Sequence, residues 1–381
     1  MNENPYPCVL HAQLCLPDAA AFTRWFAVHL LEEEVQVHWI APEGSVRLLL
    51  DQVGSLRLQL EGASAISAEL QAADARMAQL MRLSLGEHLQ EFADEAGLAA
   101  AQWRIDWREE PTGVQAAPAH SPGLHILRVA SNTAISPRMR RIRLQAQHPA
   151  DAPAVFAQGG LHVRMLLPCP AMAGASPVNP SWPEVDADGR LHWPEGAAPL
   201  PRRTYTIRAL DAAARSMDID VLVHGEHGGA ELSPGARWAR SARTGDPVAV
   251  LSPAGGRLPQ AERLVLVADA CALPAAARIV ESTQGQVHAL CWVESQAERA
   301  ALEGYGLGPH SVEWLCAEHP GQSPQGIAQV LAWLARQDWT QPQGLELWAA
   351  GGHAMGNAIR QWVRGNPALA PVRRTIASYW R

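Results

Sequence analysis

From Arg263 to the C-terminus, short apolar runs alternate with helical stretches, and this alternation restricts the fold more than any other feature of the chain. Leu264–Ala268, Val287–Val293, Val312–Cys316, Leu345–Ala350 and a last segment near Arg374–Tyr379 read as strands. Leu273–Glu281, Gln296–Leu302, Gln325–Leu334 and Met355–Val363 between them read as helices. A strand that is apolar along its whole length is buried on both faces, and the intervening helices supply the cover. The expected result for residues 259–381 is a parallel sheet wrapped on both sides.

The texture before it is different. His125–Val129, Arg141–Leu144, Leu161–Leu167, Arg203–Arg208, Met217–His224 and Pro247–Leu251 are strand candidates divided by turn residues, which predicts a six-stranded antiparallel barrel over residues 124–258. Pro168–Pro201, dense in Pro and Gly, reads as an excursion between its third and fourth strands. Residues 109–123 read as a linker. Residues 1–108 read as a small α+β domain: a helix from Pro17 and Asp18 through Leu31, strands at Val35–Ile40, Val46–Leu50 and Leu56–Leu60, then one long helix from Ser67 to Ala96. The fold class is therefore multidomain, with an α+β unit, a barrel and an α/β sheet.

Charge and residue choice exclude several chemistries. All of the 31 basic residues are arginine, so Schiff-base catalysis and a Walker-type phosphate loop, which need a lysine amine, are ruled out. A net charge of −7 argues against a nucleic-acid partner. No run of about 18 apolar residues suggests a membrane span, and no early segment reads as a signal peptide. Six scattered cysteines without a C-x-x-C pair fit free thiols in a reducing cytoplasm, with no metal site.

The sharpest local signal is Arg203-Thr204-Tyr205-Thr206-Ile207-Arg208. On a strand, Arg203 and Tyr205 share a face. A guanidinium there can pair with a pyrophosphate, and a phenol ring can stack on an isoalloxazine. Thr206 points the other way and reaches a flavin only at a strand end, at a bulge or through its amide. Alone, the segment reads equally well as an amphipathic strand with exposed arginines.

Its neighbours add to it. Asp218-Ile219-Asp220-Val221-Leu222-Val223-His224-Gly225, Gly228-Gly229-Ala230, Trp238-Ala239, Asp269-Ala270-Cys271-Ala272-Leu273-Pro274-Ala275, Trp348-Ala349-Ala350-Gly351-Gly352 and Tyr379-Trp380-Arg381 follow in order. This ordered set, spanning roughly residues 122–381, resembles the siderophore-interacting proteins, flavin-dependent ferric-siderophore reductases. The resemblance implies a ferredoxin-reductase-like pair of domains with FAD held by Arg203, Tyr205, Thr206, Asp220, Val221, His224, Gly225, Gly229, Ala230, Trp238 and Ala239. Tyr205 and Thr206 are then the residues at the reacting flavin. It also implies NADPH or NADH docking at Asp269, Ala272, Leu273, Pro274 and Gly351, where strand ends meet helix amino termini. Arg164, Arg202 and Arg208 are candidates for attracting a ferric siderophore, with an exposed arginine scatter as the alternative. Against the family pattern, Ala270-Cys271 stands for Glu-Thr and Gly352 for Glu.

Three alternatives stay open: a general flavin reductase, a reductase delivering electrons to a protein partner, and a flavin- or siderophore-binding protein with a decayed nicotinamide site; a protein electron donor is not indicated. Residues 1–108 resemble a domain of unknown function sometimes fused to this family. There His88 and Glu91, three apart on a helix, form a possible ligand pair, and a structural histidine is the commoner outcome. Trp314-Leu315-Cys316-Ala317 lacks the arginine that commonly ends this strand in the family, and Glu294 follows the strand before it. Discrimination between NADPH and NADH is therefore expected to be weak, with Arg299 as the nearest cation.

Overall fold

The computed structural model describes residues 6–32, 36–40, 45–50, 54–108, 123–147, 156, 160–168, 180–186, 191–223, 232–256, 258–302, 304–307 and 310–380. Two compact units emerge: residues 1–124 with 183–192, and residues 125–182 with 193–381.

The first unit is a six-stranded antiparallel sheet with two helices. Its elements are β1 (Cys8–Cys15), α1 (Ala19–Glu32), β2 (Gln36–Ile40), β3 (Ser45–Leu50), β4 (Gly54–Leu60), β5 (Ala65–Ala72), α2 (Ala75–Glu95) and β6 (Arg104–Arg108). The strand order is β2-β3-β4-β5-β1-β6. The single helix expected from Ser67 to Ala96 is two elements, because Ile66, Ala68, Leu70 and Ala72 alternate inward along β5. Alanine suits either period, and the ladders to β1 and β4 decide for strand. Asp74 then starts α2, its carboxylate accepting from the Met77 amide at 2.7 Å.

The second unit holds the barrel and the parallel sheet. The barrel strands are β7 (Gly123–Ala134), β8 (Met139–Ala146), β9 (His162–Leu166), β12 (Arg202–Asp211), β13 (Ser216–Leu222) and β14 (Pro247–Gly255), closed in the order β12-β13-β8-β7-β14-β9. Among the described residues, one helix, α3 (Pro234–Ser241), lies between β13 and β14. Residues 180–186 and 191–192 of the excursion carry the short hairpin β10 (Glu184–Val185) and β11 (Leu191–His192), which is grouped with the first unit. The sheet runs β17-β16-β15-β18-β19, parallel throughout, and is built from β15 (Arg263–Asp269), β16 (Gln286–Val293), β17 (Ser311–Cys316), β18 (Leu345–Gly352) and β19 (Arg373–Trp380). Its helices are α4 (Leu273–Ser282), α5 (Gln296–Leu302), α6 (Pro324–Ala335) and α7 (His353–Arg364). Two apolar clusters, around Leu266 with Ile279 and around Val267 with Ile359, cover its opposite faces. The barrel and the doubly covered sheet match the expectation.

Candidate functional site

Strand β12 organises the barrel side of the site. It pairs with β9 so that Thr204 faces Arg164, Tyr205 faces Val163 and Thr206 faces His162. Tyr205 packs on the barrel core, its ring centroid 6.5 Å from that of Trp238. The phenol oxygen lies over the amino end of α3, since a Cβ at Gly235 would stand 2.1 Å from it. Arg203, on the same strand face, is exposed and donates to the Arg202 carbonyl at 2.7 Å. A planar ring thus lies at a helix amino end, and an exposed guanidinium stands two residues before it on the same strand face. That donor set fits a flavin nucleotide, whose diphosphate needs cations and amides and whose ring system needs an aromatic wall.

On the other strand face, Thr206 is 6% exposed and its hydroxyl lies 3.3 Å from His162 Nδ1. Tyr379 Oη lies 3.0 Å from His162 Nε2. Burial, with the Arg278 guanidinium nearby, pushes the His162 pKa down to about 4, so the ring is neutral.

Asp220 and Arg208 are both engaged with other side chains of the protein. The Asp220 side chain is fully buried, forks onto Arg141 through two bonds of 2.8 Å and accepts from the Tyr305 hydroxyl. It is the anion of a buried lock, and Val221 beside it, 2% exposed, is barrel core. Arg208 forks onto Glu281 at 2.7 and 2.8 Å and lies over the Tyr305 ring at 5.2 Å, so its charge is matched within the protein. Arg141 lies over the same ring at 5.8 Å. Trp238 and Ala239 are likewise buried in the barrel core, where Asn132 ties α3 down through the Ala239 and Ala242 carbonyls. These two residues shape the site from inside.

Burial pushes the Arg164 pKa down to about 10, and the neighbouring Arg202 guanidinium adds to the shift. Arg164 of β9 and Arg202 of β12 thus stand near one another. His224, Gly225, Gly229 and Ala230 lie outside the described residues.

At the carboxyl end of β15, the Asp269 carboxylate accepts four hydrogen bonds: Cys271 N at 2.9 Å, Ala272 N at 3.2 Å, Gly352 N at 2.8 Å and Trp380 Nε1 at 2.8 Å. Burial raises its pKa to about 6, with the four donors acting in the opposite sense. Asp269, Ala272, Leu273 and Pro274 are all buried and fix the shape of the strand end. Gly351 has φ +156°, and a Cβ there would stand 2.5 Å from Asp269 Cγ. A side chain at Gly352 would meet the Gly321 carbonyl oxygen at 2.6 Å, which accounts for glycine where the family pattern has glutamate. Burial, with Asp269 beside it, pushes the Cys271 thiol far above its ordinary pKa, so it is no thiolate. In the first unit, His88 is held by the Ser84 carbonyl at 2.6 Å and packs edge-on against Phe26, a structural placement.

Sequence reasoning missed His162, Tyr305, Tyr379 and Trp380 as interacting groups. The closing Tyr379-Trp380 pair was visible as a motif, but its partners Asp269 and His162 lie 111 and 217 positions away in the chain.

Comparison with known proteins agrees with this architecture. Residues 128–257 match the model of the siderophore-interacting FAD-binding domain, and residues 261–381 match that of the siderophore-interacting protein. Ferric vibriobactin reductase ViuB of Vibrio cholerae serotype O1 is 27% identical over 229 residues, covering 59% of this chain and 78% of that protein. A siderophore utilization protein from T. fusca is 30% identical with a TM-score of 0.54, covering 69% of this chain and 94% of that one. SipS from Aeromonas hydrophila is 26% identical with a TM-score of 0.51, covering 69% of this chain and all of that one. Two adjoining family models, a relative aligned over nearly its whole length and the barrel-plus-sheet architecture agree: the chain belongs to the siderophore-interacting protein family.

Proposed function

We propose that this chain is an FAD-dependent reductase that takes electrons from NADPH or NADH and passes them to a ferric siderophore in the cytoplasm, releasing the iron as Fe(II). Residues 124–258 hold FAD, residues 259–381 receive the nicotinamide nucleotide, and residues 1–108 are an accessory domain. The observation that carries the reading is β12, with Tyr205 and Arg203 on one face beside the amino end of α3 and Thr206 on the other. Relatives named as ferric-siderophore reductases supply the substrate class.

Arg203 binds the diphosphate, Tyr205 stacks on the flavin, and Thr206 contacts its reacting edge. Bound FAD accepts electrons in pairs as hydride and releases them singly. The protein's own share is to position and attract. Arg164 and Arg202 draw in a ferric chelate, whose charge is often negative. Ferric iron is bound tightly by hard oxygen donors and ferrous iron much less so, and reduction loosens the complex.

The strand end favours a second reading for the electron source. The amides that would meet a dinucleotide phosphate at α4 and α7 include Cys271, Ala272 and Gly352, all of which Asp269 already occupies. A protein electron donor avoids that conflict. One experiment tests both: the absorbance spectrum of the purified protein is recorded anaerobically, then NADPH or NADH is added, then a ferric chelate. Bleaching by the nucleotide and recovery with the chelate support the first reading. A yellow protein that neither nucleotide bleaches, but a small redox protein does, supports the second.

A further inference from the structure

Strands β15 and β18 are neighbours at the centre of the parallel sheet, and the strand order reverses between them. The helices that follow them lie on opposite faces, α4 packing through Ile279 in one apolar cluster and α7 through Ile359 in the other. A crevice at such a reversal, outside the carboxyl ends of the strands, is where sheets of this kind take a dinucleotide, with its diphosphate against helix amino ends. Several of the amides at this crevice are spent inside the protein. Cys271 N, Ala272 N and Gly352 N donate to Asp269, and Met355 N donates to the Gly321 carbonyl at 3.1 Å.

His353 is the first residue of α7, directly after the Gly352 amide that Asp269 holds, and its side chain is exposed. His353, Asn357 and Arg360 recur at helical spacing along one face of α7. Asn357 Nδ2 lies 2.8 Å from His353 Nε2, and Arg360 donates to Asn357 Oδ1 at 2.9 Å and to the Ile376 carbonyl of β19 at 2.8 Å. The sense of each bond follows from the one before it. A guanidinium has donors only, so Asn357 offers it the carbonyl oxygen and turns its amide nitrogen to the ring. That nitrogen only donates, so His353 Nε2 accepts and the ring proton sits on Nδ1.

The root of this chain is a costly group to keep. Arg360 is 4% exposed, and among the described residues its side-chain bonds go to an amide oxygen and a main-chain carbonyl, with no carboxylate beside it. For packing alone, an apolar side chain of similar volume serves as well as a buried charge. It could not, however, set the sense of the Asn357 amide or, through it, the tautomer of the exposed ring.

Resting on the nicotinamide-nucleotide reading above, we propose that His353 donates from Nδ1–H to the diphosphate of the electron-donating nucleotide, with Asn357 and Arg360 as its positioning residues. The diphosphate oxygens only accept, so the contact needs this tautomer; the other would set a nitrogen lone pair against the anion. The side-chain donor stands in for the amides that Asp269 has taken, and the nucleotide need not displace the carboxylate.

The test is calorimetric titration of the full-length protein with NAD⁺, NADP⁺ and ADP-ribose, the last of which carries the diphosphate without the nicotinamide. A wild type that binds none of the three overturns the nucleotide reading itself, and this is read before any variant is made. Given a wild type that binds, His353→Ala is expected to weaken ADP-ribose and NAD⁺ alike, about tenfold, at an unchanged melting temperature. An unchanged ADP-ribose affinity in that variant overturns the diphosphate contact, whatever happens to NAD⁺. The positioning is read on the ring itself, by ¹⁵N NMR at about pH 9, above the ordinary histidine pKa of about 6.5. The wild-type ring is expected to carry its proton on Nδ1. In Asn357→Asp the new carboxylate still partners Arg360 but also accepts from the ring, and the proton is expected to move to Nε2. A wild-type proton on Nε2, or one that stays on Nδ1 in Asn357→Asp, overturns the roles given to Asn357 and Arg360.

Discussion

Asp220 offers the sharpest test of whether a residue in a flavin-site motif touches the flavin or holds the protein together. Its carboxylate is wholly inside and accepts from Arg141 twice and from Tyr305 once. Tyr305→Phe removes one donor to a charged acceptor, a loss of about 1.5–3 kcal/mol. Asp220→Ala removes the acceptor itself, leaving the Tyr305 hydroxyl, 7% exposed as a residue, beside an unpaired Arg141 fork. Breaking a buried ion pair costs roughly 3–5 kcal/mol. The lower end applies because the Arg141 side chain is 33% exposed and recovers water. At about 2–4 °C per kcal/mol for a unit of this size, Tyr305→Phe lowers the melting temperature by roughly 5 °C and Asp220→Ala by roughly 10 °C. Calorimetric melts measure this, paired with FAD titration well below the transition. Asp220→Asn, isosteric and still an acceptor, is expected to melt early while binding FAD within about twofold of the wild type. An Asp220→Asn protein with an unchanged melt and FAD affinity reduced more than about tenfold would refute the argument and make Asp220 a cofactor ligand.

Further outcomes follow from the same geometry. Arg203→Ala is expected to weaken FAD binding by about 1.5–3 kcal/mol, read by calorimetric titration, while leaving the melt of the apoprotein in place. Gly235→Ala puts a methyl group 2.1 Å from the Tyr205 oxygen, so the ring must shift, and FAD affinity is expected to fall about tenfold with Tyr205 itself unaltered. His162 has a folded pKa of about 4 against an unfolded value of 6.5, so the unfolded chain binds the proton more readily and stability falls as pH drops from 6.5 toward 4. Between pH 7.5 and 4.5 the wild type is expected to lose about 2.5 kcal/mol more than His162→Gln, measured by denaturant titration at both pH values. NADPH is expected to be preferred over NADH by less than about a hundredfold in kcat/KM, because the family arginine is Ala317 here and Glu294 is engaged by Arg138. Arg299 lies close enough to Cys316 to act on its thiol, and Arg299→Ala is expected to abolish what NADPH preference there is.

Periodic burial explains what the sequence made legible. The β15 to β19 sheet declares itself because each strand is apolar along its length and each helix has one apolar stripe, both properties of contiguous residues. Thr206 turning away from Tyr205 also follows from alternation alone. β5 does not declare itself, because Ala65, Ala68 and Ala72 suit a helix as well as a strand, and pairing with β1 and β4 settles the choice. The site partners were invisible for the same kind of reason. Nothing local ties Tyr305 to Asp220 or Tyr379 to His162, since each pair forms only after the barrel and the sheet have docked. Motif matching names residues that recur together, yet it leaves open whether a residue such as Asp269 contacts a ligand or, as here, gathers amides from two strand ends.

That docking is polar at several points, and the chemistry proposed for the site gives a reason. Arg138 of the barrel side pairs with Glu294 after β16, Arg208 of β12 pairs with Glu281 of α4, and Asp220 of β13 receives the Tyr305 hydroxyl. An apolar interface of equal area would bind at least as well, because dispersion and water release are indifferent to a small slide and buried charges give back much of their attraction as desolvation. Hydride transfer is not indifferent: reacting atoms must approach to about 3–3.5 Å in line, and an error of about 1 Å can cost a hundredfold in rate. Directional bonds from three separate barrel residues admit one docked arrangement and penalise its neighbours, because each displaced pair leaves charged or polar groups without their partners. On the proposed function, the lock around Tyr305 holds the sheet where a donor would meet the flavin.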